Sequence, residues 1–278
     1  MGYSSILVQL DGSKASEQRL ALASQLAQSN TCPLIGLFAG FIPDPAWFYL
    51  MENARQYVEE DMQRRRQVRE RVRQAFCEST QQLSAGVEWR VAEQDTLSTV
   101  VRESREAGLV IAGQYDASSA EGPVARQILE ALLLESGRPV LVVPSAGDFP
   151  AAGARVMVAW NGSREAARAL HDALPLIAGA QARILSAPTA AKEMRPDATP
   201  VGHAVRVLEG QGLTVDVEHG PGGSDLTIGE LLLSRAADFD ADLIVMGAYG
   251  HGRMRELVLG GVTRTLLASM TVPVLFSN

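Results

Sequence analysis

The sequence predicts an α/β protein made of two tandem doubly wound, Rossmann-like domains, each on a five-stranded parallel sheet. Three observations carry that expectation. The segment Ile6-Leu-Val-Gln-Leu-Asp11-Gly-Ser13 returns as Val156-Met-Val-Ala-Trp-Asn161-Gly-Ser163, each copy leading into an alanine-rich helical pattern. Later anchors repeat as well: Leu109-Val-Ile-Ala-Gly113 matches Leu243-Ile-Val-Met-Gly247, and Arg138-Pro-Val-Leu-Val-Val143 matches Val272-Pro-Val-Leu-Phe276. Short apolar runs alternate with helical stretches, as in βαβ units whose right-handed crossovers build a parallel sheet. At 278 residues the chain is about long enough for two such domains of roughly 150 residues.

In chain order, each half opens with a strand and a tight turn. Ser13 and Ser163 follow glycine there and are read as helix N-caps, in preference to nucleophiles. Second strands are expected at Pro33-Leu-Ile-Gly-Leu-Phe38 and Ala182-Arg-Ile-Leu-Ser186, and third strands at Val87-Glu-Trp-Arg-Val91 and Leu213-Thr-Val-Asp-Val217, where apolar and polar residues alternate. Pro43-Asp-Pro-Ala-Trp47 precedes a long helical run over 50–80 that carries Arg64, Arg65, Arg66, Arg69, Arg71 and Arg73. Acidic residues at helical spacing, Glu60 to Arg64, Asp61 to Arg65 and Arg66 to Glu70, make this a solvated helix face in preference to a nucleic-acid surface. The second half has only a proline-interrupted counterpart, Met194-Arg-Pro-Asp-Ala-Thr-Pro200, expected as a loop. Proline, glycine and small residues over Pro144 to Gly153 mark the linker, giving domains at 1–146 and 153–278.

Composition narrows the function. Forty-six per cent hydrophobic and 21% charged residues are ordinary globular values, and no apolar stretch reaches the roughly 18–20 residues that span a bilayer. The strand-like start leaves no room for a secretory leader, so a cytoplasmic location is expected. A net charge of −7 argues against nucleic acid as a partner. Cys32 and Cys77 have no Cys-x-x-Cys spacing and read as idle thiols. His171, His203, His219 and His251 show no metal-ligand spacing, so no metal site is assigned to them; at most His219 and His251 approach the ligand crevice.

That crevice is expected outside the carboxyl ends of the strands, where a 3-2-1-4-5 order makes the first and fourth strands neighbours. In the second half, Asn161-Gly162-Ser163 follows the first strand. After the fourth comes Gly247-Ala-Tyr-Gly250-His-Gly252-Arg253-Met-Arg255-Glu-Leu-Val-Leu-Gly260-Gly261-Val262-Thr263. Glycines let backbone N–H groups approach phosphate oxygens, and the following helix adds unsatisfied donors and a positive dipole end. Arg253 and Arg255 could add charge. The matching first-half segment, Gly113-Gln-Tyr-Asp116-Ala-Ser-Ser-Ala-Glu121-Gly122-Pro123, lacks the second glycine. Pro123 removes a donor, and Asp116 and Glu121 place negative charge where phosphate would sit, so this cradle reads as broken.

On these residues the chain resembles the universal stress protein family in its tandem form. That family's nucleotide-binding members carry Gly-x-x-Gly, nine residues, then Gly and Ser or Thr. Here Gly247, Gly250 and Gly260 fit, whereas Gly261 stands in place of the hydroxyl residue and Asn161 in place of an expected Asp. The resemblance implies an adenine nucleotide alpha hydrolase-like fold. It implies ATP or AMP, with Mg²⁺ accompanying ATP, held at Ala159, Asn161, Gly162, Ala187, Met246, Gly247, Tyr249, Gly250, Arg253, Gly260, Gly261, Val262 and Thr263. It also implies that the last strands of the halves, Val140 to Val143 and Val274 to Phe276, pair edge to edge within one chain as a pseudo-dimer, with a homodimer as a further arrangement and an unknown protein partner. The expected function is a non-enzymatic, adenine-nucleotide-binding stress-response protein with no catalytic residues. The alternatives are a nucleotide-independent scaffold or small-ligand binder, and a slow ATP hydrolase; the Gly-x-x-x-x-Gly-Lys arrangement of a dedicated phosphoryl-transfer enzyme is missing.

Overall fold

The computed structural model describes residues 2–40, 54–92, 96–119, 122–186, 199–220, 227–248 and 260–278. The first half runs β1 (Ile6–Leu10), α1 (Lys14–Asn30), β2 (Leu34–Phe38), α2 (Ala54–Ser79), β3 (Val87–Val91), α3 (Thr96–Ser104), β4 (Leu109–Gly113), α4 (Gly122–Glu135) and β5 (Val140–Val143). The second runs β6 (Arg155–Trp160), α5 (Arg164–Ala173), β7 (Gln181–Ser186), α6 (Val201–Glu209), β8 (Thr214–His219), α7 (Ile228–Asp238), β9 (Leu243–Gly247), α8 (Gly261–Ser269) and β10 (Val274–Ser277).

These strands form one ten-stranded sheet of order β3-β2-β1-β4-β5-β10-β9-β6-β7-β8. Each half therefore has the expected 3-2-1-4-5 order. Every pairing within a half is parallel, and the halves join where β5 meets β10 antiparallel, with Leu141 opposite Leu275. The join removes two exposed strand edges and leaves β3 and β8 as the outer strands. Both outer strands carry charge, and the β3 edge is dressed by Arg90, which pairs with Glu88 and Glu103 at 2.8 Å and also meets Glu106.

The central strands are apolar on both faces because helices cover both faces. Ile6, Val8 and Leu10 of β1 and Val156, Val158 and Trp160 of β6 pack with α1, α2, α5 and α6. Leu7 and Met157 point the other way, into a second core with α3, α4, α7 and α8. This period-two switch is what sends residues just past a strand end into a fixed position between layers.

The turns are closed as the sequence suggests. Ser13 Oγ accepts the Ser16 N–H at 3.3 Å, and Ser163 Oγ accepts the Ala166 N–H at 3.2 Å. Thr227 and Glu230 form a reciprocal capping box on α7. On α2, Asp61 takes Arg65 as expected but also Arg64, both at 2.5 Å, while Glu60 accepts the Gln56 amide. Arg73 reaches Glu70 at 3.5 Å. The carboxylate of Asp242 accepts the N–H groups of Gly153, Ala154 and Arg155 at 2.9–3.0 Å, anchoring the chain as it enters β6. Cys32 is buried and Cys77 exposed, both as free thiols. Among the described residues no helix is long and apolar enough to cross a membrane. The segment Pro43 to Trp47 lies outside the described residues.

Candidate functional site

β6 and β9 are hydrogen-bonded neighbours, with Ala159 directly beside Met246. Their carboxyl ends bring together Ala159, Asn161, Gly162, Met246 and Gly247. Gly162 adopts the left-handed region (φ +71°), which turns the chain sharply from β6 into α5. The Asn161 side chain is exposed, and its Oδ1 accepts the Ser163 N–H at 3.1 Å. Thr199 closes the other side of the turn, donating its N–H to Gly162 O at 2.9 Å while its carbonyl accepts Trp160 Nε1–H at 3.1 Å.

Helix α8 starts on the same side of the sheet, since it links β9 to β10 and these strands are parallel. Gly260 is its N-cap and carries no side-chain capping bond. A Cβ added at Gly260 or Gly261 would meet nothing within 4 Å among the described residues. The first backbone N–H groups of the helix, on Gly261, Val262 and Thr263, thus follow an N-cap without a capping side chain, the arrangement suited to an anion. The Thr263 side chain is buried, so that residue offers its backbone to a ligand and not its hydroxyl. Ala187, Tyr249, Gly250, Arg253 and Arg255 lie outside the described residues, as does His251. His219 ends β8, with the whole of β7 between it and β6. At the usual strand spacing its backbone lies about 10 Å from that of β6. No group of three or more His, Cys, Asp or Glu that could hold a metal occurs among the described residues.

The corresponding region of the first half is arranged differently. Asp11 Oδ1 accepts the Ser13 N–H at 2.9 Å and the Ser13 hydroxyl, and Oδ2 pairs with Arg19 Nη2 at 2.9 Å. Arg19 is almost wholly buried, and its Nε donates to the Gln9 carbonyl at 2.7 Å. Burial alone would raise the Asp11 pKa; the Arg19 charge and the Ser13 hydrogen bonds outweigh it and hold the carboxyl below its usual range. The guanidinium lies so close to the end of β4 that a Cβ at Gly113 would fall within 2.0 Å of Nη1. The start of α4 is occupied by its own loop: Gly122 donates to Ser119 O at 3.0 Å, Ser119 to Asp116 O at 3.2 Å, and a Cβ at Gly122 would lie 2.3 Å from Asp116 O. The Asp116 carboxylate is engaged by the Ser118 N–H and hydroxyl at 2.8 and 2.6 Å. Glu121 lies outside the described residues. Gln114 spans the halves, donating to Leu267 O at 2.8 Å and accepting the Ser145 N–H at 3.0 Å.

Two residues that the sequence reading passed over stand out. Arg19 shares a helix face with Leu22, Ala23 and Leu26, all buried, so the i, i+3, i+4, i+7 spacing could have flagged a buried cation. Glu165, in the first turn of α5, is buried too, beside Gly247.

Residues 154–277 match the family model of the universal stress protein family. A universal stress protein of Synechocystis (strain PCC 6803) is 37% identical over 75 residues, which is 27% of this chain and 25% of that protein. The chain thus spans a quarter of the length of this curated relative. Among solved structures, a universal stress protein from Archaeoglobus fulgidus superposes with a TM-score of 0.72 at 19% identity, covering 99% of this chain and 96% of that one. A protein of unknown function from Pseudomonas aeruginosa PAO1 gives 0.57 at 16% identity over 99% and 92%. These two likenesses speak to the fold across both halves.

Proposed function

We propose, for a chain that belongs to the universal stress protein family through residues 154–277, that its second half holds an adenine nucleotide, AMP or ATP, and that occupancy alters its contacts with a protein partner in the cytoplasm. The observation that carries this reading is the start of α8, where a Cβ at Gly260 or Gly261 would meet no atom of the described residues within 4 Å, set beside the start of α4, where a Cβ at Gly122 would lie 2.3 Å from Asp116 O. Helix N-termini favour anions by about 0.3–1 kcal/mol at exposed positions, so the cradle positions phosphate while most of the affinity must come from base and ribose between Ala159, Asn161 and Met246. The first half contributes packing through β5, leaving one site per chain. Titration calorimetry of nucleotide-free protein with AMP, ADP and ATP tests the reading. Saturable binding at one site is expected; no heat at millimolar nucleotide would overturn it and favour a scaffold acting without nucleotide.

A further inference from the structure

Helix α2 extends well past the sheet that it crosses. It has 26 residues, whereas α6, at the same place in the second half, has nine. It runs from the carboxyl end of β2 back to the start of β3, opposite in direction to both parallel strands. Phe76 lies over the middle of β2, where a Cβ at Gly36 would come 2.6 Å from its ring. Val68, two turns earlier, already reaches the turn after β1, where a Cβ at Gly12 would come 2.6 Å from its Cγ1. Residues 54–67 therefore rise beyond the carboxyl ends of the strands, by about 20 Å at roughly 1.5 Å per residue. Val72 and Phe76 are buried, and Val68 and Ala75 pack against the same core, but no described side chain of 54–67 is buried.

This arm is basic. From Met62 to Arg73 the chain carries six arginines and one acid, in a molecule of net charge −7. The nearby acids are used locally: Asp61 takes Arg64 and Arg65, Glu60 takes the Gln56 amide, and Glu70 takes Arg73 where the sequence suggested Arg66. Arg66, Arg69 and Arg73 follow Met62 at intervals of four, three and four residues, so all four share one flank of the helix. Arg66 and Arg73 are exposed, and Met62 is 52% exposed. The opposite flank faces the β1–α1 turn, where Arg71 Nη2 donates to Gly12 O at 3.3 Å. Like charges one turn apart disfavour a helix, and a stretch of about fourteen residues without tertiary packing is marginal by itself. Carboxylates brought from outside relieve that repulsion, and guanidinium forks hold them by paired, charge-assisted hydrogen bonds. A nucleic-acid backbone, with a charge about every 1.7 Å of duplex axis, would also press on Glu59, Glu60, Asp61, Glu70 and the acidic remainder of the chain. An amphipathic acidic helix instead places carboxylates one turn apart, opposite the three arginines, and an apolar side chain opposite Met62.

We infer that α2 from residue 54 to Arg73 is a docking arm for an acidic, amphipathic helical segment of a partner protein, seated along Met62, Arg66, Arg69 and Arg73. The segment is that of the partner in the proposed function, yet its seat is separate from the nucleotide crevice. The strands of the two halves run in opposite directions, so the arm and the start of α8 lie at opposite ends of the sheet.

The test is fluorescence anisotropy, without nucleotide, using a labelled peptide that carries glutamates at the spacing of Arg66, Arg69 and Arg73 and a leucine one turn from the first. A scrambled peptide of the same composition and a single-stranded oligonucleotide of the same net charge are the comparisons. The patterned peptide is expected to bind the wild-type chain about tenfold tighter than the scrambled one, the order that three exposed ion pairs supply together, and more weakly as salt rises. Arg66→Glu combined with Arg73→Glu should abolish the preference, and Met62→Ser should weaken the patterned peptide a few-fold by removing apolar contact. Equal binding of the two peptides, tighter binding of the oligonucleotide, or no binding of any probe would overturn the inference; none of these needs a variant to fold, and all leave the nucleotide reading intact. A preference that persists in the folded double variant would overturn it as well.

Discussion

The turns after β1 and β6 share a plan, aspartate or asparagine, glycine, serine and a helix, yet the first is satisfied from within and the second is not. In the first half the carboxylate of Asp11 meets Arg19, the guanidinium covers Gly113, and the start of α4 is filled by the Asp116 loop. In the second half Asn161 carries no charge, Ala169, at the place of Arg19, provides no cation, Glu165 pairs with the exposed Arg164, and a Cβ at Gly260 or Gly261 would meet no described atom within 4 Å. The difference teaches that a repeated turn can be closed by its own charged side chains in one copy and lack that closure in the other, which is where the proposed ligand would enter.

The largest test of this contrast removes the internal cation. Arg19→Ala leaves the largely buried Asp11 without its charge partner, and breaking such a pair typically costs about 3 kcal/mol or more. Urea denaturation should show a loss of that order, and pairing the change with Asp11→Ala should recover part of it; a loss under about 0.5 kcal/mol would show that Arg19 is idle.

The glycines give the next test. Gly247→Ala sets a Cβ 2.5 Å from backbone atoms of Glu165 and Ala166, which cannot move aside, so a cost of about 2 kcal/mol is expected. Gly261→Ala meets open space and should cost nothing measurable or stabilise the helix slightly. Thermal melts of the two variants check the ordering, and equal effects would contradict it.

Acid separates the halves more gently. The Asp11 carboxyl titrates below its ordinary value in the folded chain, so the unfolded chain binds more protons through that window. Its contribution is full above the unfolded value near 3.8 and is lost as pH falls through the folded value. Asp11→Asn should therefore flatten the loss of stability on acidification below about pH 4, measured by denaturation against pH. Glu165 has the same sign, so Glu165→Gln flattens part of the same limb.

The smallest effect is expected from Gly261→Ser. Space exists for the side chain, stability should change by less than about 0.5 kcal/mol, and a hydroxyl at the start of α8 should tighten phosphate-bearing ligands a few-fold by one more hydrogen bond. Calorimetry showing weaker binding would mean that the hydroxyl blocks the site.

Much of the fold could be read because its signals are local. Buried central strands such as Leu109–Gly113 and Leu243–Gly247 are short continuous apolar runs, and Ser13 and Ser163 announce their helices one residue ahead. The turn at Gly162 and the helix start at Gly260 and Gly261 were legible because backbone chemistry decides them. The charge balance around the turns was not, because that depends on distant approaches: Arg19 meets Gly113 across more than ninety residues, and Glu165 meets Gly247 across more than eighty. An arginine or glutamate in an alanine-rich helix reads as solvated until the sheet supplies its neighbours.

The central claim is that only the second half receives ligand, and hydrogen exchange read by mass spectrometry with saturating AMP or Mg²⁺–ATP tests it most directly. New protection is expected at 159–163, 246–248 and 260–263, with none at 9–13 or 113–122. Protection in the first-half turns, or none in either half while nucleotide is bound, would contradict the account.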